Sequence, residues 1–166
     1  AKEVGCLGAL VITASHNPYN WLGLKIKSFN GCSVDESFTS EVEKRLMLGN
    51  SIEKIDGVNQ LVDIKKFHLD RIKSLFDIDY ISKRLKKMKL RIFVDSMHGS
   101  AANCMAEIFA SNDLEVISEI RKDADPFFGG KPPEPLLNYA DDLKQILMKN
   151  STNEVKTLGI IFDGDG

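Results

Sequence analysis

Apolar residues recur along this chain in two rhythms, broken by clusters of glycine, proline, asparagine and aspartate. Ala9-Leu10-Val11-Ile12 is an unbroken apolar run, short and rich in branched side chains, and reads as a buried strand. Leu24 to Phe29 alternates apolar with polar positions, the pattern of a half-buried strand. The two make a hairpin whose tip carries residues 13–23. A helix follows, capped by Ser33 or Asp35 and running to about Gly49, with Phe38, Val42 and Leu46 on one face. Gly49-Asn50 ends it, and residues 51–62 are irregular. Asp63 caps a second helix in which Ile64, Phe67, Ile72 and Leu75 share a face. A third runs from Tyr80 to Met88 with Ile81 and Leu85 inward.

The rest alternates strand and helix. Leu90 to Asp95 is a strand, and Ser96-Met97-His98-Gly99-Ser100 is a turn. A helix follows that buries Ala101, Met105, Ile108 and Phe109. Leu114 to Ile120 is a strand, 125–135 a proline- and glycine-rich loop, Asp141 to Met148 a helix and 157–162 a strand. Strand–helix–strand–helix–strand is the order of a parallel sheet flanked by helices. The expected class is α/β, with mixed and parallel sheets covered by helices. The domain boundary falls near residue 73, giving segments 1–72 and 73–166.

Composition changes this picture little. The 166 residues are 43% hydrophobic and 28% charged, an ordinary globular balance. A net charge of −2 offers no basic field for nucleic acid. No apolar run reaches the length of a membrane span. The start, Ala1-Lys2-Glu3-Val4, lacks the apolar core of a signal peptide, and its alanine suggests that it is not the natural start. Cys6, Cys32 and Cys104 are few, odd in number and widely spaced, which points to reduced thiols in a cytoplasmic protein.

Two stretches carry candidate chemistry. The first apolar run stops at Thr13-Ala14-Ser15-His16-Asn17-Pro18, where Asn17-Pro18 marks a turn. Ser15 therefore sits on a loop past a strand end, where α/β sheets bind ligands. It reads either as a nucleophile or phosphate carrier, or as a turn serine satisfying its own backbone. The second stretch is Asp163-Gly164-Asp165-Gly166, directly after the last strand. Two carboxylates two residues apart on a glycine loop suit a hard cation such as Mg²⁺, although Asp-Gly is equally a hairpin signal. Lys25 lies ten residues after Ser15 and can face a phosphate there. Asp95 and His98 read either as a second metal pair or, the favoured reading, as a strand-to-helix turn in which Asp95 satisfies backbone amides, and the run Lys83-Arg84 with Lys86-Lys87 reads as a solvated face. The segment Pro132-Pro133-Glu134-Pro135 is read as a rigid spacer, and Trp21 as a packing residue.

Taken in order, Thr13 to Pro18, Gly23-Leu24-Lys25 and the strand ending in Asp163-Gly164-Asp165-Gly166 resemble the α-D-phosphohexomutases, the phosphoglucomutases and phosphomannomutases. The resemblance implies the end of a first domain and most of a second, in a family whose members have four domains. It implies an intramolecular phosphotransferase that interconverts hexose 1-phosphates and 6-phosphates of glucose or mannose. Ser15 would carry the phosphoryl group, and one Mg²⁺ would sit between its phosphate and Asp163 and Asp165. Lys25 and His16 would assist, and a hexose 1,6-bisphosphate would be intermediate and activator. On this reading 166 residues alone are inactive. Asn20 and Leu22 depart from the family pattern before Gly23. Two other readings stand beside it: a haloacid-dehalogenase-like phosphatase with Asp163 as nucleophile, and a non-enzymatic module that binds Mg²⁺ or phosphate.

Overall fold

The computed structural model describes residues 1–49, 57–110 and 117–166. The chain forms two compact units: residues 1–13 with 22–62, and residues 14–21 with 63–166.

In the first unit, β1 (Gly8–Ile12) pairs antiparallel with β2 (Leu24–Ser28), Gly8 opposite Ser28 and Ile12 opposite Leu24. The hairpin neck is closed by the Thr13 amide, which donates to the Gly23 carbonyl at 3.0 Å. Helix α1 (Glu36–Met47) starts at Asp35, whose extended backbone makes it the N-cap. Burial differs from the sequence reading. Leu10 and Ile12 are 69% and 72% exposed, because a hairpin alone covers neither face of its strands. Phe38 and Leu46 of α1 are exposed too, and only Thr39 and Val42 are half-buried.

The second unit holds the core. Helices α2 (Ile64–Leu75) and α3 (Ile78–Lys87) begin at Asp63 and Asp77. Each cap carboxylate accepts from the amide three residues on, Lys66 at 2.9 Å and Tyr80 at 2.8 Å. Then come β3 (Leu90–Asp95), α4 (Cys104–Phe109), β4 (Ile117–Ile120), α5 (Asp141–Asn150) and β5 (Lys156–Ile161). The strand expected from Leu114 is seen from Ile117; residues 114–116, Asn50 and 51–56 lie outside the described residues. Leu69, Ile108 and Phe109 form a buried cluster, with Ile72, Ile78, Ile81 and Leu85 packed on it. The buried face of α2 is thus Leu69 and Ile72, while Ile64, Phe67 and Leu75 are exposed. Apolar residues lie around most of this helix, so spacing alone does not select the inward face.

β3 is central and parallel to both neighbours, in the order β4-β3-β5. Its side chains Ile92, Phe93 and Val94 are 4%, 4% and 0% exposed, as a strand covered on both faces requires. The chain leaves β3 toward β4 on one side and reaches β5 on the other. The carboxyl ends of β3 and β5 therefore flank the point where the strand order reverses, and crevices at such points bind ligands. Asp95 closes β3 there, fully buried, and Arg121 grips it with both arms: Nε to Oδ1 at 2.7 Å and Nη2 to Oδ2. Nη2 also donates to the Tyr139 carbonyl at 3.0 Å. The turn assigned to Asp95 thus holds, since Asp95 Oδ1 accepts from the Met97 amide at 3.1 Å.

Candidate functional site

The aspartate loop follows β5 and is tied on several sides. Phe162 N–H donates to the Asp95 carbonyl at 2.9 Å, anchoring its start to the end of β3. Gly164 N–H donates to the Pro133 carbonyl at 3.1 Å. Ser100 N–H donates to the Gly164 carbonyl at 3.1 Å, and the Ser100 hydroxyl donates to the Asp165 carbonyl. The loop folds back on itself: Gly166 N–H lies 3.0 Å from Asp163 Oδ1 and 3.2 Å from the Asp163 carbonyl. Asp163 is half-buried and Asp165 exposed.

Two glycines make these approaches feasible. A Cβ on Gly99 would sit 2.8 Å from the Asp163 carbonyl oxygen and 2.9 Å from that of Gly164. A Cβ on Gly164 would sit 2.5 Å from the Ser15 carbonyl oxygen and 2.9 Å from Pro133 Cγ. The second contact brings the two candidate stretches together: the backbone of Ser15 lies directly against the aspartate loop. Residues 14–21 accordingly belong to the same unit as 163–166.

The serine loop has its own bracing. Ser15 has φ 55°, a left-handed conformation uncommon outside glycine, and such outliers cluster at functional sites. Asn17 closes the turn, with its amide and its Nδ2 both donating to the Ala14 carbonyl, at 3.0 and 2.9 Å. Further on, Tyr19 meets Phe127 edge to face, ring centroids 5.0 Å apart. Trp21, expected to pack, is 61% exposed. His16 is exposed beside Ser15. Lys25 lies on β2 in the first unit, opposite Val11.

Among the described residues, no group of three or more His, Cys, Asp or Glu is gathered as a metal cluster. The loop offers two carboxylates, Asp163 and Asp165. That is an all-oxygen set, chemically suited to Mg²⁺, which commonly takes one or two carboxylates together with phosphate oxygens.

Several contributors escaped the sequence reading. Pro132-Pro133 was expected to be a spacer, yet Pro133 is fully buried and braces Gly164. Ser100 and Gly99 were read only as a turn. Arg121 carried no sequence signal, since nothing local marks it as the partner of Asp95.

The fold and its loops define an α/β protein whose candidate site lies at the strand-order reversal of a parallel sheet, where an aspartate loop meets a serine turn. Residues 66–166 match the family model described as phosphoglucomutase/phosphomannomutase, alpha/beta/alpha domain II, and residues 1–51 match domain I of the same family. The chain belongs to the phosphoglucomutase/phosphomannomutase family. Among curated relatives, phosphoglucomutase-2 of Paramecium tetraurelia is 28% identical, over 99% of this chain and 35% of the relative. Phosphoglucomutase 2 of Saccharomyces cerevisiae is 30% identical, over 99% and 33%. The chain thus spans about a third of the length of these relatives. Its fold matches the open form of a Paramecium phosphoglucomutase, with TM-score 0.76 and 23% identity over 99% of this chain and 36% of that one. A phosphoglucomutase/phosphomannomutase family protein from Burkholderia thailandensis gives TM-score 0.70 and 24% identity, over 96% and 32%.

Proposed function

We propose that the protein carrying this chain is a phosphohexomutase that interconverts the 1- and 6-phosphates of glucose or mannose. Ser15 carries the phosphoryl group. In the first transfer the Ser15 Oγ–P bond breaks and a bond forms between phosphorus and the free hydroxyl of the hexose phosphate. The hydroxyl proton passes to a base, for which His16 and Lys25 are the candidates. The product is a hexose 1,6-bisphosphate and free Ser15. After the sugar turns over, Ser15 takes back the other phosphoryl group. Supplied by hexose 1,6-bisphosphate, the same exchange charges Ser15 at the outset.

A phosphoserine carries about −1.5 to −2 charge, which repels an incoming sugar phosphate. Asp163 and Asp165 would hold one Mg²⁺ against the phosphoserine, and that ion would supply charge neutralisation to the transferring group. The observation supporting this reading is the contact between Ser15 and Gly164, which sets the carrier residue against the carboxylate loop. Family membership supports the reaction class. A cytoplasmic setting fits as well: Cys6, Cys32 and Cys104 are free thiols, and one relative is a potato phosphoglucomutase described as cytoplasmic.

The test is an assay of the intact protein with glucose 1-phosphate or mannose 1-phosphate, Mg²⁺ and a trace of glucose 1,6-bisphosphate. The native protein forms the 6-phosphate, and Ser15→Ala loses most of the turnover. Full turnover in the alanine variant would remove Ser15 from the mechanism.

A further inference from the structure

We infer that the loop between β4 and α5 braces both candidate stretches, and that Phe127 within it is a positioning residue for Ser15, acting through Tyr19. The inference rests on the mutase reading of Ser15 and extends it to a ring on a different element.

The loop touches both stretches. Its Pro133 carbonyl accepts from the Gly164 amide at 3.1 Å, which braces the aspartate loop. Earlier in the same loop, Phe127 meets Tyr19 of the serine turn edge to face, with ring centroids 5.0 Å apart and planes at 74°. Ring pairs in this arrangement attract beyond the area they cover. The serine turn and the loop belong to the same compact unit.

The Phe127 ring stands on a rigid base. Asp125 Oδ1 accepts from the Phe127 amide and Oδ2 from the Gly129 amide, both at 2.9 Å. The Phe128 amide bonds the Asp125 carbonyl at 3.0 Å, and the Gly130 amide bonds that of Phe127 at 2.8 Å. Phe128, Gly129 and Gly130 have φ of 51°, 67° and 78°, so the segment is wound tightly. His98 ties it to the end of β3. Its Nδ1 lies 2.7 Å from the Asp123 carbonyl oxygen, and a Cβ on Gly129 would sit 3.3 Å from its Nε2.

Tyr19 passes this fix to Ser15 with little slack. The Asn17 amide bonds the Ala14 carbonyl and the Trp21 amide bonds the Pro18 carbonyl, both at 3.0 Å, so two tight turns follow one another. Pro18, where they join, has its φ locked by its ring. The serine turn is thus braced toward both ends: Ser15 against Gly164, and Tyr19 against Phe127. Without the Phe127 ring, the Tyr19 end is free to lift, and the turn tilts about the Gly164 contact and takes Ser15 with it. Phe127 and Tyr19 are 57% and 55% exposed, so loss of the ring leaves the buried core intact.

The experiment uses the intact protein as the native form, Phe127→Ala and Phe127→Tyr. Hydrogen–deuterium exchange of the peptide spanning residues 14–21 reports how firmly the turn is held. Turnover of glucose 1-phosphate, with Mg²⁺ and a trace of glucose 1,6-bisphosphate, reports the placement of Ser15. Thermal melting reports structural loss. The account expects the 14–21 peptide of Phe127→Ala to exchange about three- to tenfold faster, the size of an aromatic pair's contribution, while the β3 peptide is unchanged. Its kcat falls while KM for glucose 1-phosphate stays, the mark of lost alignment in the transfer step. Phe127→Tyr keeps the ring and restores both readouts, and all three proteins melt together. Unchanged exchange in Phe127→Ala overturns the role of Phe127 and leaves the mutase reading standing. A loosened turn with native kcat overturns it as well, since the tie then does not position Ser15. So does a defect that tyrosine fails to restore, because the ring is then not the operative group. A native protein with neither turnover nor phosphate on Ser15 overturns this inference together with the mutase reading.

Discussion

Ser15 is held in a left-handed backbone conformation with its carbonyl against Gly164, so residue 164 has no room for a side chain. Gly164→Ala places a Cβ about 2.5 Å from an oxygen, closer than real contacts allow, and one of the two loops must move. Both carboxylates survive the change, and the separation of the loops does not. Misplacement of about an ångström can cost roughly a hundredfold in rate, and that is the expected loss of kcat/KM in the intact protein. Turnover within twofold of native would show that this approach is unimportant. Asp125 is a second single-residue case. It caps its own loop, its carboxylate accepting from the amides of Phe127 and Gly129, both at 2.9 Å. These bonds, Phe127 first, hold its pKa below the ordinary value, with a smaller contribution from His98. A folded-state pKa below the unfolded one means stability that is complete above the unfolded value and lost as pH falls through the folded value. Loop 125–130 therefore keeps its tie down through the usual aspartate range and releases it only in stronger acid. A carbon-detected NMR titration of the Asp125 carboxyl should give a midpoint below about 3.9, and a midpoint at or above that value would contradict the assignment.

At the scale of elements, the end of β3 is the hub. Asp95 is fully buried, and its carbonyl anchors the start of the aspartate loop while its carboxylate is clamped by Arg121. Removing Arg121 strands a buried charge, which in proteins costs about 3–5 kcal/mol. Urea unfolding of Arg121→Ala should show a loss of about 3 kcal/mol, and a change under about 1 kcal/mol would mean that Asp95 is satisfied without it. These elements also show what is legible in a sequence. The parallel pairing of β3, β4 and β5 was readable because strands and helices alternate along this part of the chain. The cap at Asp63 was readable because capping is a local interaction. The inward face of α2 was not, since Ile64, Phe67 and Leu75 are as apolar as the residues that pack. The serine turn and aspartate loop were visible as motifs. The residues bracing them were not: Arg121, Pro133, Gly99 and Ser100 act across sequence separations that no local pattern records. Pro133 shows this most directly, since a rigid proline segment looks the same whether it spans solvent or supports a loop.

At the scale of the molecule, the chain supplies two units and spans about a third of the relatives it matches. Phosphoryl transfer depends on holding donor and acceptor in line, and that alignment is worth effective molarities of roughly 10⁵ M or more. Among the described residues, the candidate site has a serine turn and a carboxylate loop, which in the proposed mechanism address the phosphoryl group and not the sugar. Residues 1–166 expressed alone should therefore show no mutase turnover above background, and turnover near that of the intact protein would mean these two units suffice. The central claim is that Ser15 carries the phosphoryl group while Asp163 and Asp165 serve it. The most direct measurement is the location of that group. The intact protein is treated with glucose 1,6-bisphosphate and Mg²⁺, quenched in acid, digested and mapped by mass spectrometry. The account predicts an acid-stable phosphate on the peptide containing Ser15, absent from Ser15→Ala. An acid-labile phosphate on Asp163, or none on Ser15, would contradict it and return the aspartate loop to the phosphatase or binding-module readings.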